Sequence, residues 1–351
     1  MCIINVATNV IVLMNYTRRL ILLLFFSVAF VQAFAQKEKP VVQTPSTDSL
    51  MAAAMAMYNG KTDMVRYEAN EKFIQLLKKD LREEGAFDYV FDSLRILSVI
   101  YPDDRKFKVL SWNLPLSNFK NENYGLMMVF SEKSHNYKLI ELRDVSNDIV
   151  NPEKEILKKG LWYGAVYYQL IEKKVEGKKV YTIIGWHPTN GLYQQKVIDV
   201  ITFDRNDEPI FGKLMFRGKG FTSSKRIVFR YSDKVSMKLR FEQATYNIVK
   251  KKENKRYNKR INQNNDERLR SEKKKTIVKT KTEEMIVFDM LFPSRPELEG
   301  QYQYYYPVSE TGNGFYFEDG RWIHRTLVPE EDSILVKPLK IGLMPKWFRF
   351  G

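Results

Sequence analysis

Runs of β-branched and aromatic residues, separated by short polar turns, dominate the chain from residue 105 to residue 327. The densest part extends from Leu161 to Phe216, where Gly, Pro, Asn and Asp collect between the runs. Such runs predict strands, and the connections are too short for crossover helices, so each strand should pair antiparallel with the next. The strands predicted for this β-meander are Trp162–Glu172, Val180–Trp186, Tyr193–Phe203 and Ile210–Phe216.

Further strands are predicted before and after the meander. On the C-terminal side, the Asp319-Gly320 pair is typical of a tight hairpin turn. The strands predicted before the meander are Lys106–Trp112, Tyr124–Ser131 and Tyr137–Leu142. Those predicted after it are Lys225–Tyr231, Val235–Tyr246, Met285–Leu291, Tyr302–Tyr306, Gly314–Phe317 and Arg321–Leu327.

A helical period of three and four residues occurs on the N-terminal side of these strands. The Ala- and Met-rich run Leu50–Tyr58 predicts a short helix, and Asp63 is expected to cap a second one with an apolar stripe up to Leu81. The apolar positions in Phe87–Leu97 predict a third helix, which Tyr101-Pro102 ends. The predicted fold class is therefore α+β, with N-terminal helices packed on a large twisted antiparallel β-meander sheet that is able to curl into a half-barrel.

The beginning of the chain has the composition of a secretory signal peptide. Arg18 and Arg19 precede the apolar run Leu20–Val31, and Ala33-Phe34-Ala35 supplies small residues at the two positions that a signal peptidase recognises. We expect cleavage before Gln36 and an exported protein in the periplasm or at the cell surface. The alternative is an uncleaved membrane anchor, although the run is shorter than the about 20 residues that a spanning helix needs. No second apolar run of that length follows, so no transmembrane span is expected after cleavage.

These patterns divide the chain into segments of different composition. The stretch before the helices is polar and contains Pro40 and Pro45, which favours a flexible linker. The predicted segments are the signal peptide 1–35, the linker 36–47, the helical segment 48–104, the antiparallel β domain 105–327 with a basic insertion at 250–281, and a C-terminal extension 328–351 that packs on the domain.

Motifs for catalysis or metal binding are missing from the sequence. Cys2 is the only cysteine and precedes the cleavage site, so disulfides, thiolate metal sites and cysteine nucleophiles are excluded from the mature protein. His135, His187 and His324 are far apart, and His187 is expected to be exposed or to cap a turn. The turn Asp204–Glu208 has the oxygen ligands of a calcium loop, but Asx-rich hairpin turns are common and the turn alone is favoured. We therefore predict no catalytic residue, no metal ligand and no cofactor.

Most of the net charge of +15 comes from one segment. Residues 250–281 contain fourteen Lys and Arg residues against four carboxylates, a net charge of +10. In an exported protein such a cluster favours an envelope polyanion or glycan, and nucleic acid is disfavoured because Tyr257 is the only aromatic residue available for base stacking. The alternative is a solvated excursion without a ligand. The candidate polyanion-binding residues are Lys250, Lys251, Lys252, Arg256, Arg260, Lys273, Lys274 and Lys275.

The predicted sheet carries more aromatic side chains than one buried face easily accommodates. Exposed rings stack on sugars or apolar ligands, so part of this set is expected to form a ligand-binding face. The alternative is that the helices and the C-terminal extension cover these rings. The candidate ligand-binding residues are Trp162, Tyr163, Tyr168, Trp186 and Tyr304.

Five short stretches carry a resemblance to a known family: Phe107–Trp112, Leu161–Tyr168, Tyr181–Trp186, Lys196–Val200 and Ile286–Asp289. Their pattern resembles that of a family of uncharacterised exported proteins from Bacteroidetes-type Gram-negative bacteria, over residues 63–327. The resemblance implies a periplasmic or surface location, but it implies no activity and no catalytic residue. The basic segment is an insertion relative to that family.

We therefore expect an exported cell-envelope protein that is not an enzyme and that binds a ligand or a protein partner through an aromatic sheet face. Two alternatives are a hydrolase of an envelope or extracellular polymer and a structural assembly subunit. A cleft with two facing carboxylates, or with a histidine beside a carboxylate, would favour the hydrolase. A broad aromatic surface without such pairs would favour binding.

Overall fold

The computed structural model describes residues 47–189, 191–253 and 274–328 of the chain. The predicted signal peptide, the linker up to residue 46, the middle of the basic insertion and the C-terminal extension after residue 328 lie outside these residues. Every strand described below belongs to one compact unit, Pro45–Phe87 with Phe91–Gly351, whereas Asp88–Val90 belong to a second unit. In the described ranges, no helix combines the length and the apolar composition needed to cross a membrane.

Two α-helices open the described chain, and both were predicted. The first, α1, is Thr47–Asn59, and the second, α2, is Asp63–Asp80. Buried apolar residues recur along each helix at intervals of about one or two turns, as with Phe73 and Leu77 of α2. Each helix therefore turns one apolar stripe towards the interior.

The cap of α2 lies one residue earlier than predicted. The N-cap residue is Thr62, whose side-chain hydroxyl accepts a hydrogen bond from Val65 N at 3.3 Å. Asp63, the predicted cap, is the first helical residue. Its carboxylate accepts hydrogen bonds from the backbone N and the hydroxyl of Ser117 at 2.7 and 2.9 Å. Asp63 therefore ties the start of the helix to a distant turn instead of capping it.

The prediction of a third helix over Phe87–Leu97 is wrong. This stretch contains the end of one 3-10 turn, Ala86–Asp88, followed by irregular chain. Backbone hydrogen bonds from Leu94 N to Phe91 O, at 2.8 Å, and from Leu97 N to Leu94 O, at 2.9 Å, close successive tight turns. These turns bury Phe91, Leu94 and Leu97 at three-residue intervals. The apolar spacing that suggested a helix is thus satisfied by turns with a similar period.

The strands fill the chain from Ser98 to Thr326. The predicted strand Tyr193–Phe203 has the same bounds in the structure, whereas the predicted strand Ile210–Phe216 is divided into two short ones. In chain order the strands are β1 (Ser98–Ile100), β2 (Phe107–Pro115), β3 (Asn121–Ser131), β4 (Asn136–Asp144), β5 (Leu157–Lys158), β6 (Leu161–Trp162), β7 (Val166–Val175), β8 (Lys178–His187), β9 (Tyr193–Phe203), β10 (Pro209–Phe211), β11 (Phe216–Arg217), β12 (Ile227–Ser232), β13 (Leu239–Glu253), β14 (Lys274–Pro293), β15 (Tyr305–Glu318) and β16 (Arg321–Thr326).

Within the described residues these strands form three hydrogen-bonded sheets, where the sequence predicted one large sheet. The first sheet has the order β1-β2-β3-β4-β6, and the central sheet has the order β5-β10-β9-β8-β7 with β12 also paired to β9. The third sheet has the order β11-β16-β15-β14-β13. Neighbouring strands are antiparallel except for β4 with β6 and β11 with β16, which are parallel. The predicted α+β class with mainly antiparallel pairing is confirmed.

The central sheet is buried on both faces. On β8, Tyr181 and Ile183 belong to a core shared with the first sheet, whereas Val180 and Ile184 belong to a core shared with the third sheet. Successive residues of a strand point to opposite faces, so both halves of the alternation are apolar here. The central sheet therefore lies between the other two.

A fully buried ion pair crosses the central sheet. Arg226 Nε donates to Asp199 Oδ2 at 2.6 Å, and both side chains are 0% exposed. Arg226 Nη1 donates to Pro152 O at 2.8 Å, and Asp199 Oδ1 accepts from Val200 N at 2.8 Å. Arg226 Nη2 has no hydrogen-bond partner in the described part of the chain. The pair fixes the start of β12 to β9 and to the 3-10 turn after Asn151.

The basic insertion begins and ends as strand. The pairing of β13 with β14 extends to Glu253 opposite Lys274. β15 pairs with β14 only from Met285 onwards, and Tyr246 of β13 forms a bridge to Leu327. Beyond Tyr246 no third described strand pairs with this hairpin, so its outer part is a two-stranded ribbon. The strand predicted to end at Tyr246 therefore extends into the first residues of the basic segment. The ladder continues through them, and residues 254–273 lie outside the described ranges.

Candidate ligand-binding site

Two of the five aromatic residues predicted to bind a ligand are in the core. Trp162 is 0% exposed and Tyr163 is 3% exposed. The ring of Trp162 packs against that of Tyr167 with centroids 5.6 Å apart, and the Tyr163 hydroxyl donates to Gln195 Oε1 at 2.6 Å. Both residues lie between the first sheet and the central sheet. Trp162 is itself part of β6 in the first sheet, and the packing of that sheet on the central sheet encloses both side chains, so they do not form part of an exposed aromatic face.

The other three predicted residues keep some exposure, but they do not form one surface. Tyr168 donates from its hydroxyl to Leu239 O at 2.9 Å and packs against the core between the central and third sheets. Trp186 is partly exposed, and its Nε1 donates to Gln194 Oε1 at 3.1 Å. Tyr304 is 40% exposed and lies in a 3-10 turn that precedes β15. The single aromatic face predicted from these residues is therefore not assembled.

A different group of tyrosines gathers at that 3-10 turn. The ring centroids of Tyr193 and Tyr302 are 5.6 Å apart, and those of Tyr302 and Tyr305 are 5.4 Å apart. These three side chains are partly exposed, and Tyr304 is their neighbour in the chain. We call Tyr193, Tyr302, Tyr304 and Tyr305 the tyrosine surface. It forms where the first residue of β9 meets the turn before β15.

Arg230 is a fixed cation beside the tyrosine surface. It lies on β12, opposite Gln195 of β9. Its guanidinium carbon is 5.3 Å from the ring centroid of Tyr302, and its Nη1 donates to Glu153 Oε1 at 2.7 Å. Burial opposes the charge of Arg230, but the hydrogen bond and the charge of Glu153 outweigh it and raise the pKa of the guanidinium. The cation is therefore held in one position against the tyrosine ring.

A shallow depression next to Tyr304 adds polar groups to this surface. It has a volume of about 510 Å³ and is lined by Ser294, Arg295, Glu297, Leu298 and Tyr304. Ser294 N donates to Tyr304 O at 2.9 Å, which holds two of its walls together. Arg295 is exposed, and no described residue forms a hydrogen bond or an ion pair with its guanidinium group. An aromatic ring, a cation, a carboxylate and a hydroxyl thus line one depression.

A buried polar network surrounds His187 at the end of β8. The imidazole stacks on the ring of Tyr163 with centroids 5.0 Å apart, and its Nδ1 is hydrogen-bonded to Gly164 O. Asn123 Nδ2 donates to Asp144 Oδ2 at 3.1 Å and lies 3.3 Å from His187 Nδ1. A carbonyl oxygen only accepts, so Nδ1 carries the proton and Nε2 carries the lone pair. The prediction of an exposed or capping histidine is wrong, since His187 is 6% exposed.

The His187 network does not assemble a nucleophile. Burial lowers the pKa of His187, against the charge of Asp144 and the hydrogen bond to Gly164, so the imidazole is neutral at pH 7. Among the described residues, no hydroxyl or other group lies within hydrogen-bonding distance of its Nε2. In the same ranges, no group of three or more His, Cys, Asp or Glu side chains is arranged to hold a metal ion.

The polar turn Asp204–Glu208 is closed by its own hydrogen bonds. Asp204 Oδ1 accepts from the backbone N of Asn206 at 2.8 Å and of Glu208 at 2.9 Å. Asp207 Oδ1 forms an ion pair with Lys106 Nζ at 2.9 Å. Backbone donors and a lysine therefore use the carboxylates that a calcium ion would need. The predicted Asx-rich turn is present, and the preference for a turn without calcium stays a prediction.

The candidate polyanion-binding residues flank the part of the insertion that lies outside the described residues. Lys252 is the ladder partner of Lys275. Lys250, Lys251 and Lys252 lie on β13, Lys274 and Lys275 lie on β14, and Arg256, Arg260 and Lys273 lie outside the described residues.

Comparison with known proteins gives no match. No protein-family model, no curated protein and no solved structure matches the chain. The resemblance of the strand sequences to a family of exported proteins stays a prediction.

The sequence alone does not reveal Arg230 or Glu153 as parts of a site. They are 77 residues apart, and only the pairing of β12 with β9 brings them to the tyrosines. One signal is visible in the sequence. Four of the five residues at 302–306 are tyrosine. A buried strand cannot place so many adjacent rings on one face, so part of this run has to meet solvent.

Proposed function

We propose that this is an exported cell-envelope protein that binds a glycan at the tyrosine surface without altering it chemically. The observation that carries the proposal is the row of Tyr193, Tyr302 and Tyr305, with ring centroids 5.6 and 5.4 Å apart, beside the fixed cation Arg230. Tyr193 and Tyr305 are the first residues of β9 and β15, which are strands of packed sheets, and Tyr302 lies in the 3-10 turn before β15.

The chemistry of this surface suits a sugar. A sugar ring has C–H faces that pack on aromatic rings, and it has hydroxyls around its rim that need donors and acceptors. Tyrosine meets the first need with large contact area at low cost in conformational entropy, and its hydroxyl adds a polar tip. Ser294, Arg295 and Glu297 meet the second need at the edge of the surface.

Arg295 favours a glycan that carries an acidic group. Its guanidinium group is exposed and has no ion-pair partner among the described residues. Guanidinium groups bind carboxylates and phosphates through two parallel hydrogen bonds. A carboxylate or phosphate on a sugar would therefore find an uncommitted cation within the depression that Tyr304 lines.

Equilibrium binding to a panel of neutral and acidic oligosaccharides tests the proposal. We expect the wild-type protein to bind, and Tyr302→Ala or Tyr304→Ala to weaken affinity about tenfold, which corresponds to about 1.4 kcal/mol. Arg295→Gln should weaken only the acidic ligands. Tyr101→Ala is the matched control, because Tyr101 is a 56% exposed tyrosine outside the tyrosine surface.

Two results of this assay would contradict the proposal. One is no binding by the wild-type protein to any member of the panel, and the other is an equal loss in the Tyr101→Ala control. Self-association without oligosaccharide binding would instead favour a structural assembly subunit.

Export is supported by the arginine pair, the apolar run Leu20–Val31 and the Ala33-Phe34-Ala35 site. The resemblance of the strand sequences to exported proteins supports the same location. We expect N-terminal sequencing of the protein from the envelope of its native host to begin at Gln36. Recovery of residues before Ala33 in the mature protein would contradict export by cleavage.

His187 is the observation that favours the alternative function, a hydrolase. A neutral imidazole whose Nε2 has no partner among the described residues is the form that acts as a general base on water. In a hydrolase, the wild-type protein would shorten the bound oligosaccharide, and His187→Gln would abolish the cleavage. In the binding protein that we propose, chromatography recovers the oligosaccharide unchanged, and His187→Gln binds it as the wild type does.

A further inference from the structure

Lys196 occupies an otherwise apolar position of the central sheet. It lies on β9 between Trp186 of β8 and Phe229 of β12. The residues two and four positions further along β9, Ile198 and Val200, belong to the core between the central and third sheets. Because residues i, i+2 and i+4 line one face of a strand, Lys196 faces the same side at the end of that core.

The amine of Lys196 has an unusual set of contacts for a lysine. Its Nζ donates to Met237 O and lies 5.9 Å from the ring centroid of Tyr168. Among the described residues, no carboxylate forms an ion pair with Nζ. Lys196 and its ladder neighbour Trp186 are both partly exposed, so this position lies where the core borders solvent.

The charges that face Lys196 come from few groups. Tyr168 of β7 and Tyr231 of β12 keep their protons because burial raises the pKa of each hydroxyl. Asp289 of β14 is the carboxylate whose charge acts on Lys196, and its Oδ2 accepts from Lys238 N at 2.6 Å. Burial lowers the pKa of Lys196 to about 8, against the charge of Asp289.

Burial increases the fraction of Lys196 amines that are neutral, and only the neutral amine is a nucleophile. With a pKa of about 8, a much larger fraction of Lys196 side chains is neutral at pH 7 than of lysines with an ordinary pKa. Desolvated lysines of this kind act as nucleophiles towards carbonyl groups in other proteins.

We propose that Lys196 is a covalent attachment site for a small aldehyde or ketone. The neutral amine attacks the carbonyl carbon, a C–N bond forms, and the electron pair of the C=O π bond moves to oxygen, which gains a proton. The carbinolamine then loses its hydroxyl as water, the nitrogen gives up its second proton, and a C=N bond remains. One carbonyl compound and one amine give one imine and one water, with no oxidant or reductant.

The surroundings suit this step. Met237 O holds the nitrogen in place by the hydrogen bond from Nζ. Trp186 and Tyr168 provide apolar surface for the hydrocarbon part of the carbonyl compound. The attachment is independent of the tyrosine surface, since Tyr193 and Lys196 are three residues apart on β9 and therefore point to opposite faces of the sheet.

Trapping with glycolaldehyde and cyanoborohydride at pH 7, followed by peptide mapping, tests the proposal in the folded full-length protein. We expect Lys196 to be labelled at least tenfold faster than the exposed Lys219. Its labelling rate should level off above pH 8, whereas the rate at Lys219 should continue to rise. Lys196→Arg keeps a donor for Met237 O and should lose only the labelled peptide.

Two further measurements separate reactivity from mere exposure. In urea the preference for Lys196 should disappear, because the unfolded chain no longer desolvates the amine. Asp289→Asn should increase the rate at pH 7, because it removes the charge that holds the proton on Lys196. Labelling of Lys196 no faster than Lys219 in the folded protein, or an unchanged preference in urea, would overturn the proposal. The wild-type comparison stands even where a variant fails to fold.

Discussion

Removal of the carboxylate from the buried ion pair of the central sheet should be among the most damaging single changes in the described chain. Asp199→Ala leaves the Arg226 guanidinium 0% exposed, with Pro152 O as its remaining hydrogen-bond acceptor in the described chain. Breaking a buried ion pair from one side costs about 3 to 5 kcal/mol, because an uncompensated charge stays in the interior. Since Arg226 Nη2 already has no partner among the described residues, we expect a loss in the upper part of this range.

Substitution of both partners distinguishes two quantities: the free-energy cost of leaving one charge buried without a partner, and the net contribution of the ion pair to stability. Replacement of both partners by apolar residues of similar size is often neutral or stabilising. Asp199→Leu with Arg226→Met should therefore recover most of the free energy of unfolding that Asp199→Ala loses. Glu208→Gln is the matched control. Its pair with Lys138 is partly exposed, so the change should cost under about 1 kcal/mol.

Urea unfolding followed by circular dichroism measures all four proteins. The midpoint should fall strongly for Asp199→Ala, slightly for Glu208→Gln, and the double variant should lie near the wild type. An Asp199→Ala protein as stable as Glu208→Gln would refute the burial of this pair. A double variant as unstable as Asp199→Ala would show that the pair itself contributes the stability.

Three further predictions concern the core, the buried histidine and the basic hairpin. Trp112→Ala should lower the free energy of unfolding by about 3 to 5 kcal/mol, and Trp186→Ala should lower it by less than half as much, because Trp112 is buried and Trp186 is partly exposed. Thermal or urea unfolding measures both variants, and equal losses would contradict the prediction. Folding lowers the pKa of His187 below its ordinary value of 6.5, so at acidic pH the unfolded chain binds a proton more readily than the folded protein does. The free energy of unfolding is therefore unaffected by the titration of this histidine above pH 6.5 and decreases as the pH falls below 6.5. The free energy of unfolding should thus fall between pH 7 and pH 5 in the wild type and fall less in His187→Gln, and parallel curves would contradict a buried neutral imidazole. Replacement of residues 250–277 by a short Asn-Gly turn should keep a cooperative melt, because no third strand in the described ranges pairs with this part of the hairpin. The same change should abolish salt-sensitive retention on heparin if the lysines bind polyanions, and loss of folding would place the hairpin in the core.

Local sequence patterns were sufficient to predict an element whose bounds depend only on the residues next to it. The strand Tyr193–Phe203 could be predicted to the residue, because polar turns flank it on both sides. The third helix could not, because Phe91, Leu94 and Leu97 are buried by tight turns with nearly the same spacing as a helical stripe. A period of three residues in the sequence does not distinguish these two backbones.

The candidate site could be predicted only in part, for a reason of packing. Trp162 and Tyr163 lie in strand-rich sequence that suggests an exposed face, but both are enclosed where the first sheet packs on the central sheet. Nothing in their local sequence shows that a second sheet lies on that face. Tyr304 was predicted and is exposed, whereas Arg230 joins the site only through the pairing of β12 with β9. Contacts between distant segments decide both outcomes.

Nuclear magnetic resonance of the tyrosine rings is the most direct test of glycan binding at the tyrosine surface. The protein is labelled with carbon-13 in its tyrosine side chains and titrated with the oligosaccharide that binds best. We predict that the ring signals of Tyr193, Tyr302, Tyr304 and Tyr305 shift, while that of the buried Tyr167 stays in place. Shifts confined to tyrosines outside this group, or no shifts at saturating ligand, would contradict the account.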